Sequence, residues 1–145
     1  MAITVNRTVR TAAAGPERVL AYLLDFENSV QWDAGTISCT RIEGDGGVGT
    51  RYRNVSEFNG RQMELTYTVE AVAQDRFVIV GRTKGVESYD TVIVRPWGDG
   101  GTELEYDARF GFSGLLRLAE PFLTGTFAKL GDATAADLQR ALDTL

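Results

Sequence analysis

The chain contains no histidine and a single cysteine, Cys39, and those two shortages remove whole classes of chemistry. Without histidine there is no Ser-His-Asp or Cys-His nucleophilic machinery and no imidazole ligand for a metal. One cysteine permits neither an intrachain disulfide nor a thiolate cluster. Cys39 falls in a strand-like stretch and reads as a small buried thiol. Carboxylate-only metal binding stays open in principle, but no EF-hand-like spacing occurs, and neither metal nor cofactor is expected. No apolar run approaches the length that crosses a bilayer, which argues against stable membrane insertion. Residues 1–10 alternate polar and apolar instead of forming the apolar stretch of a signal peptide, so a cytoplasmic location is expected. Positive charge is also short. Fifteen Lys and Arg face twenty Asp and Glu, a net charge of -5, with no basic stripe, and a nucleic-acid partner is therefore not expected.

What is present is the material of one globular domain spanning residues 1–145, 43% hydrophobic and 24% charged. A chain of that length can bury roughly 70% of its unfolded surface and needs no staples. Residues 2–11 alternate as a strand, with Ile3, Val5 and Val9 on one face. Gly15-Pro16-Glu17 opens a helix, since proline suits the first helical position and an early glutamate complements the dipole. Val19, Tyr22, Leu23 and Phe26 then form one apolar stripe. A polar segment at 27–33, carrying Val30 and Trp32, predicts a second, shorter helical turn.

From residue 36 to 112 the period changes to two. Six strands are predicted, at about 36–43, 49–58, 61–72, 76–84, 86–96 and 102–112. Turn chemistry separates them: Gly44-Asp45-Gly46-Gly47, Asn59-Gly60, Gln74-Asp75, Lys84-Gly85 and Gly98-Asp99-Gly100-Gly101. Such short connections make successive strands antiparallel neighbours. The last segment, 115–145, has Leu123, Phe127, Leu130, Leu138 and Leu142 at helical spacing, with Pro121 and Gly125 predicting a break after a short first piece.

The Asn59-Gly60 turn sets a register. A two-residue loop pairs Phe58 with Arg61, Ser56 with Met63, Asn54 with Leu65 and Tyr52 with Tyr67. The other face then holds Arg51, Arg53, Glu57, Gln62 and Glu64, a solvated surface. In the last hairpin, Leu104, Tyr106, Ala108, Phe110 and Phe112 alternate with charged residues, and a five-residue loop from Trp97 to Gly101 sets Val94 opposite Leu104 and Val92 opposite Tyr106. Period two then turns Ser88 and Asp90 inward. Tyr52, Asn54, Tyr67, Ser88, Asp90 and Tyr106 thus share an inner face, where an unpaired buried hydroxyl or amide costs about 1–3 kcal/mol. They either hydrogen-bond one another or line a cavity.

Two motifs dissolve on inspection. Gly44-Asp45-Gly46-Gly47-Val48-Gly49 lacks the Lys-Ser/Thr pair and following helix of a phosphate loop and is read as a hairpin loop. Phe112-Ser113-Gly114 is not a nucleophile elbow, because Leu115 occupies the second glycine position.

Other segments together carry a resemblance. Pro16-Glu17-Arg18-Val19, Asp25-Phe26-Glu27-Asn28 and Gln31-Trp32-Asp33 resemble the opening of the SRPBCC or START-like helix-grip superfamily. Gly47-Val48-Gly49-Thr50-Arg51-Tyr52 is similar to the turn into its third strand. Ser88-Tyr89-Asp90-Thr91 and Gly100-Gly101-Thr102-Glu103-Leu104 look like its last hairpin, especially in the bacterial polyketide cyclase/dehydrase-like branch. The order of elements agrees along essentially the whole chain. The resemblance implies an α+β helix-grip fold: a seven-stranded antiparallel sheet wrapped around a long C-terminal helix, two short helices after strand 1, and a ligand cavity between sheet and helix. It implies little about chemistry, because one fold hosts many functions.

On these grounds the expected function is a binding or carrier module for a small hydrophobic or aromatic molecule such as a lipid, a polyketide or a quinone-like compound. Its expected ligand-binding residues are Trp32, Tyr52, Asn54, Tyr67, Ser88, Asp90, Tyr106, Phe110, Leu123 and Phe127. The alternative is an enzyme of the cyclase, aromatase or dehydratase kind, with Asp90 as candidate catalytic acid or base beside tyrosine hydroxyls. Against that stands a structural hydrogen bond or simple ligand anchoring by Asp90. A second alternative is a protein-interaction module with a vestigial cavity. Trp32 and Phe26 are read as core fillers or as residues of the cavity mouth, and the assembly as monomer or dimer.

Overall fold

A computed structural model describes residues 2–145. Strand β1 (Ile3–Thr11) leads into α1 (Pro16–Leu24), a single 3-10 turn (Phe26–Asn28) and the one-turn α2 (Ser29–Trp32). Strands β2 (Thr36–Glu43), β3 (Arg51–Phe58), β4 (Arg61–Val72), β5 (Arg76–Thr83), β6 (Val86–Trp97) and β7 (Gly101–Phe112) follow as a meander. A 3-10 segment (Gly114–Ala119) then connects to the long α3 (Glu120–Asp143). The strands form one seven-stranded antiparallel sheet in the order β1-β7-β6-β5-β4-β3-β2. Among the described residues no helix is long and apolar enough to cross a membrane.

The local rules operate as expected in most places. Pro16 occupies the first turn of α1, and Val19, Leu20 and Leu23 are its buried face. Asn59 and Gly60 both take positive φ, 51° and 75°, the conformation of a tight hairpin turn. The register they impose is the expected one: Phe58 with Arg61, Ser56 with Met63, Asn54 with Leu65, Tyr52 with Tyr67. The last hairpin pairs Val94 with Leu104, Val92 with Tyr106 and Asp90 with Ala108. Its loop is shorter than the pattern predicted, because Trp97 still pairs with Gly101 and only residues 98–100 turn.

The C-terminal segment differs from expectation. Pro121 does not break a helix; it stands in the first turn of α3, where a missing N–H costs nothing. The helix then runs without interruption through Gly125 to Asp143. Its buried positions, Phe127, Gly131, Thr134, Leu138 and Leu142, form a stripe at helical spacing that lies against the sheet. At Gly131 the approach to β1 is closest: a Cβ there would stand 2.4 Å from Val5 Cγ1 and 3.2 Å from Arg7 Nη2. The Arg7 side chain caps this contact from outside, donating to Asp132 Oδ1 at 2.9 Å and to the Ala128 carbonyl at 3.1 Å.

Two glycines of α3 therefore answer alanine substitution with opposite signs. Nothing lies within 4 Å of a Cβ at exposed Gly125, so Gly125→Ala should stabilise by about 0.5–1 kcal/mol through helix propensity. Gly131→Ala should instead destabilise by about 1–3 kcal/mol, because stiff Val5 cannot yield without moving the helix off β1. Denaturant unfolding of the two variants checks this, and equal effects would show that α3 is not seated as described.

Candidate ligand-binding site

A cavity of about 420 Å³ lies between the inner face of the sheet and α3. Its walls are mainly apolar: Val5, Leu65, Ala108 and Phe110 from the sheet, and Leu123, Phe127 and Leu130 from α3. Two groups of aromatic rings bound it. At the inner end Phe26 packs at 4.8 Å on Tyr67, and Trp32 edge-on at 5.8 Å on Tyr106. Toward the opening, Phe127 sits 4.8 Å from Phe58 and 4.4 Å from Phe110. Such pairs add about 0.5–1.5 kcal/mol each beyond their burial, so both ends are firmly built.

The opening is on the side of the Asn59-Gly60 turn and the 3-10 segment. Leu116 and Ala119 line it, and beside them Leu115 and Phe122 are 86% and 84% exposed. Exposed apolar side chains thus adjoin the lining residues Leu116 and Ala119 along the chain.

The polar groups gather at the inner end. Tyr67 pairs across the sheet with Gly81, and Gly81 with Ser88, so the three form one row over β4, β5 and β6. Gly81 has no Cβ to hold the phenol up; a Cβ there would stand 2.6 Å from the ring. The Tyr67 ring therefore lies over β5 at Gly81, on the side of Ser88. Ser88 Oγ donates to Asp90 Oδ1 at 2.7 Å, and the Tyr106 hydroxyl lies 3.4 Å from Asp90 Oδ2. Asp90 is 3% exposed, and burial in this apolar setting pushes its pKa up to about 7. The negative charge of Asp33 adds to the shift, while the hydrogen bonds from Ser88 and Tyr106 oppose it. Burial likewise raises both phenols well above the usual tyrosine value, with the charge of Asp90 contributing.

Of the ten residues expected at the ligand, the structure brings seven to the cavity: Tyr67, Ser88, Asp90, Tyr106, Phe110, Leu123 and Phe127. Tyr52 and Asn54 face inward as their period requires, and Trp32 is buried at the end of α2, but these three do not line the cavity. Tyr52 and Trp32, each 1% exposed, pack against Phe26 beneath α1 and α2, so Trp32 and Phe26 are core fillers and not mouth residues. Fully buried Asn54 donates to Thr36 Oγ1 at 3.0 Å and accepts from Ser56 Oγ at 2.6 Å. It braces the cavity wall from behind.

Sequence reasoning missed Asp33. It follows α2 and lines the cavity together with Thr134 of α3. Thr36 Oγ1 donates to its Oδ2 at 2.7 Å and Thr134 Oγ1 to its Oδ1 at 3.4 Å. Burial raises its pKa, with hydrogen bonds from Thr36, the Gly35 backbone and Thr134 acting the other way. The Asp33-Ala34-Gly35-Thr36 turn was a visible local signal, but Thr134 is 101 residues away. Among the described residues no cluster of three or more metal-ligating side chains of the His, Cys, Asp and Glu kind forms.

A curved antiparallel sheet gripping a C-terminal helix over an internal cavity defines the START-like, helix-grip class. The chain belongs to the polyketide cyclase/dehydrase and lipid transport family, whose pattern matches residues 2–143. Among solved structures it is similar to the Zhui aromatase/cyclase of Streptomyces sp. R1128, at 14% identity and a TM-score of 0.80 over 97% of this chain and 93% of that one. It is also similar to the protein TTHA0849 of Thermus thermophilus, at 17% identity and a TM-score of 0.76 over 97% and 95%. A START superfamily protein of Mycobacterium smegmatis gives 18% identity and a TM-score of 0.72 over 95% and 98%. At these identities the likeness is one of fold. No sequence match is found among curated proteins.

The raised pKa of Asp90 has a measurable consequence. Unfolded, the group loses its proton at about pH 4; folded, it keeps the proton to about pH 7. The folded state binds the extra proton in between, so the stability that Asp90 contributes is full below that window and falls as pH rises through it. The fall is on the order of 4 kcal/mol. Asp90→Asn, which cannot ionise, should therefore gain relative to the parent as pH rises from about 4 to about 7 in denaturant unfolding, and level off above. A difference that does not change with pH would mean that Asp90 titrates normally.

Proposed function

We propose that residues 1–145 act as one unit that encloses a small, largely apolar or aromatic molecule, as a binding or carrier module. The observation that carries this reading is a cavity of about 420 Å³ whose walls are apolar and whose buried polar groups converge at one end. That is the make-up small-molecule pockets share: apolar surface for affinity, a few placed polar groups for orientation. Family membership supports it. In this reading Tyr67, Ser88, Asp90 and Tyr106 hold the polar end of the ligand, Phe110, Leu123 and Phe127 hold its body, and exposed Leu115 and Phe122 adjoin the entrance. A cavity of this size speaks against a purely protein-binding role with a vestigial pocket. The cargo class extends to lipids and polyketides, and a cytoplasmic setting is part of the proposal.

One observation favours a second reading. Asp90, with a pKa of about 7 and two phenols beside it, is a carboxylic acid able to give or take a proton near neutrality. The similar fold of an aromatase/cyclase is in keeping with a cyclase, aromatase or dehydratase activity, in which Asp90 would exchange a proton with a polyketide-like substrate and the tyrosine hydroxyls would orient it.

Two measurements separate the readings. Protein purified from its native host, denatured and analysed by mass spectrometry, should release a stoichiometric apolar compound if it is a carrier. That compound should raise the melting temperature on re-addition and be recovered unchanged, since a ligand bound to the folded state alone stabilises it. If the compound is converted, Asp90→Asn should abolish conversion. A cavity that takes up no apolar molecule at all would end both readings.

A further inference from the structure

The polar end of the cavity has acceptors in excess. Two carboxyl groups, Asp33 and Asp90, line it, and no lysine or arginine accompanies them inside. The one cation of the lining, Arg61, is exposed beside the Asn59-Gly60 turn at the opposite, open end. Among the described residues no ion pair engages either carboxyl group; all eleven join other acids.

The internal donors do not saturate these acids. An ionised carboxylate offers about four acceptor positions. Asp90 receives one short bond, from Ser88 at 2.7 Å, and one long one, from Tyr106 at 3.4 Å. Asp33 receives a short bond from Thr36 at 2.7 Å, a long one from Thr134 at 3.4 Å and a backbone contact from Gly35. The donors of the long bonds, Tyr106 and Thr134, line the cavity, as Ser88 does. A ligand group at this end of the cavity meets underused acceptor oxygens of Asp90 and Asp33. Once Asp90 has lost its proton, above about pH 7, a donor satisfies those oxygens, whereas an anion adds further negative charge where nothing positive can answer it.

We infer that the cavity selects apolar or aromatic molecules whose polar end donates hydrogen bonds, a hydroxyl or a protonated amine, and excludes those that end in a carboxylate or another anion. Free fatty acids and aromatic acids fall outside this class; long-chain or aromatic alcohols, phenols and amines fall within it. The inference rests on the ligand-binding reading and narrows it, with Asp33 and Asp90 as the specificity-determining groups.

The test uses matched sets that share a body and differ in the polar end: decanol, decylamine and decanoate, then naphthalenemethanol, naphthylmethylamine and naphthoate. Each displaces Nile red, a neutral apolar dye, from the full chain at about pH 8.5, where Asp90 is ionised and an alkylamine is still protonated. The alcohol and the amine should bind at least about tenfold more tightly than the carboxylate in both sets. Asp90→Asn and Asp33→Asn, checked for folding by circular dichroism, should each shrink the gap between amine and carboxylate several-fold. Carboxylates binding as tightly as alcohols would overturn this inference while leaving the ligand-binding reading in place. A gap unchanged in both variants would overturn the assignment to these two acids. Failure of the dye and of every compound to bind would overturn the ligand-binding reading, and this inference with it.

Discussion

Helix α3 touches β1 closely at Gly131 and stands off the rest of the sheet, and this uneven seating determines whether the molecule has an ordinary core or a cavity. Where the helix comes down, a Cβ at Gly131 would stand 2.4 Å from Val5. Toward β3 and β7 the same helix meets the sheet through rings, with Phe127 against Phe58 and Phe110. Protein interiors are packed to crystal-like density, so a space of about 420 Å³ persists only because stiff elements prop it open. The aromatic groups at its two ends supply that stiffness.

The polar groups belong to the same arrangement. Gly81 leaves room for Tyr67 to lean toward Ser88, and Ser88 in turn orients the Asp90 carboxyl. On the opposite side Asp33 is held by Thr36 and Thr134, and Asn54 ties Thr36 to Ser56. Each acid is thus fixed by its neighbours before any ligand arrives, which lowers the ordering cost of binding. An apolar space with rigid acceptors gathered at one end is a receptacle with a direction.

The fold was legible wherever a local rule decides it. Pro16 in the first turn of α1, Asn59-Gly60 at a hairpin and the alternation of residues 102–112 each name their element without outside help. Pro121 shows how a local rule misleads: the same residue breaks a helix from within and begins one from its first turn, and only the position of the preceding 3-10 segment selects between these. Gly125 was no break because its cost of about 1 kcal/mol is small beside the packing of Phe127, Leu138 and Leu142.

The chain's own chemistry and periodicity determined which residues look inward and which reactions are out of reach. Without histidine and with one cysteine no tertiary arrangement can supply imidazole or a disulfide, and period two turns Tyr52, Asn54, Tyr67, Ser88, Asp90 and Tyr106 to one face however the sheet is covered. The tertiary structure alone decided which part of that face is roofed by α1 and α2 and which is left open beneath α3. That is why Tyr52 and Asn54 became core, with Trp32 of α2 packed above them, while Tyr67, Ser88, Asp90 and Tyr106 became cavity wall. It alone also brought Asp33 to Thr134, across 101 residues of chain. The physical reason is that periodicity is a property of neighbouring dihedral angles, whereas a cavity is defined by the distance between elements far apart in the sequence.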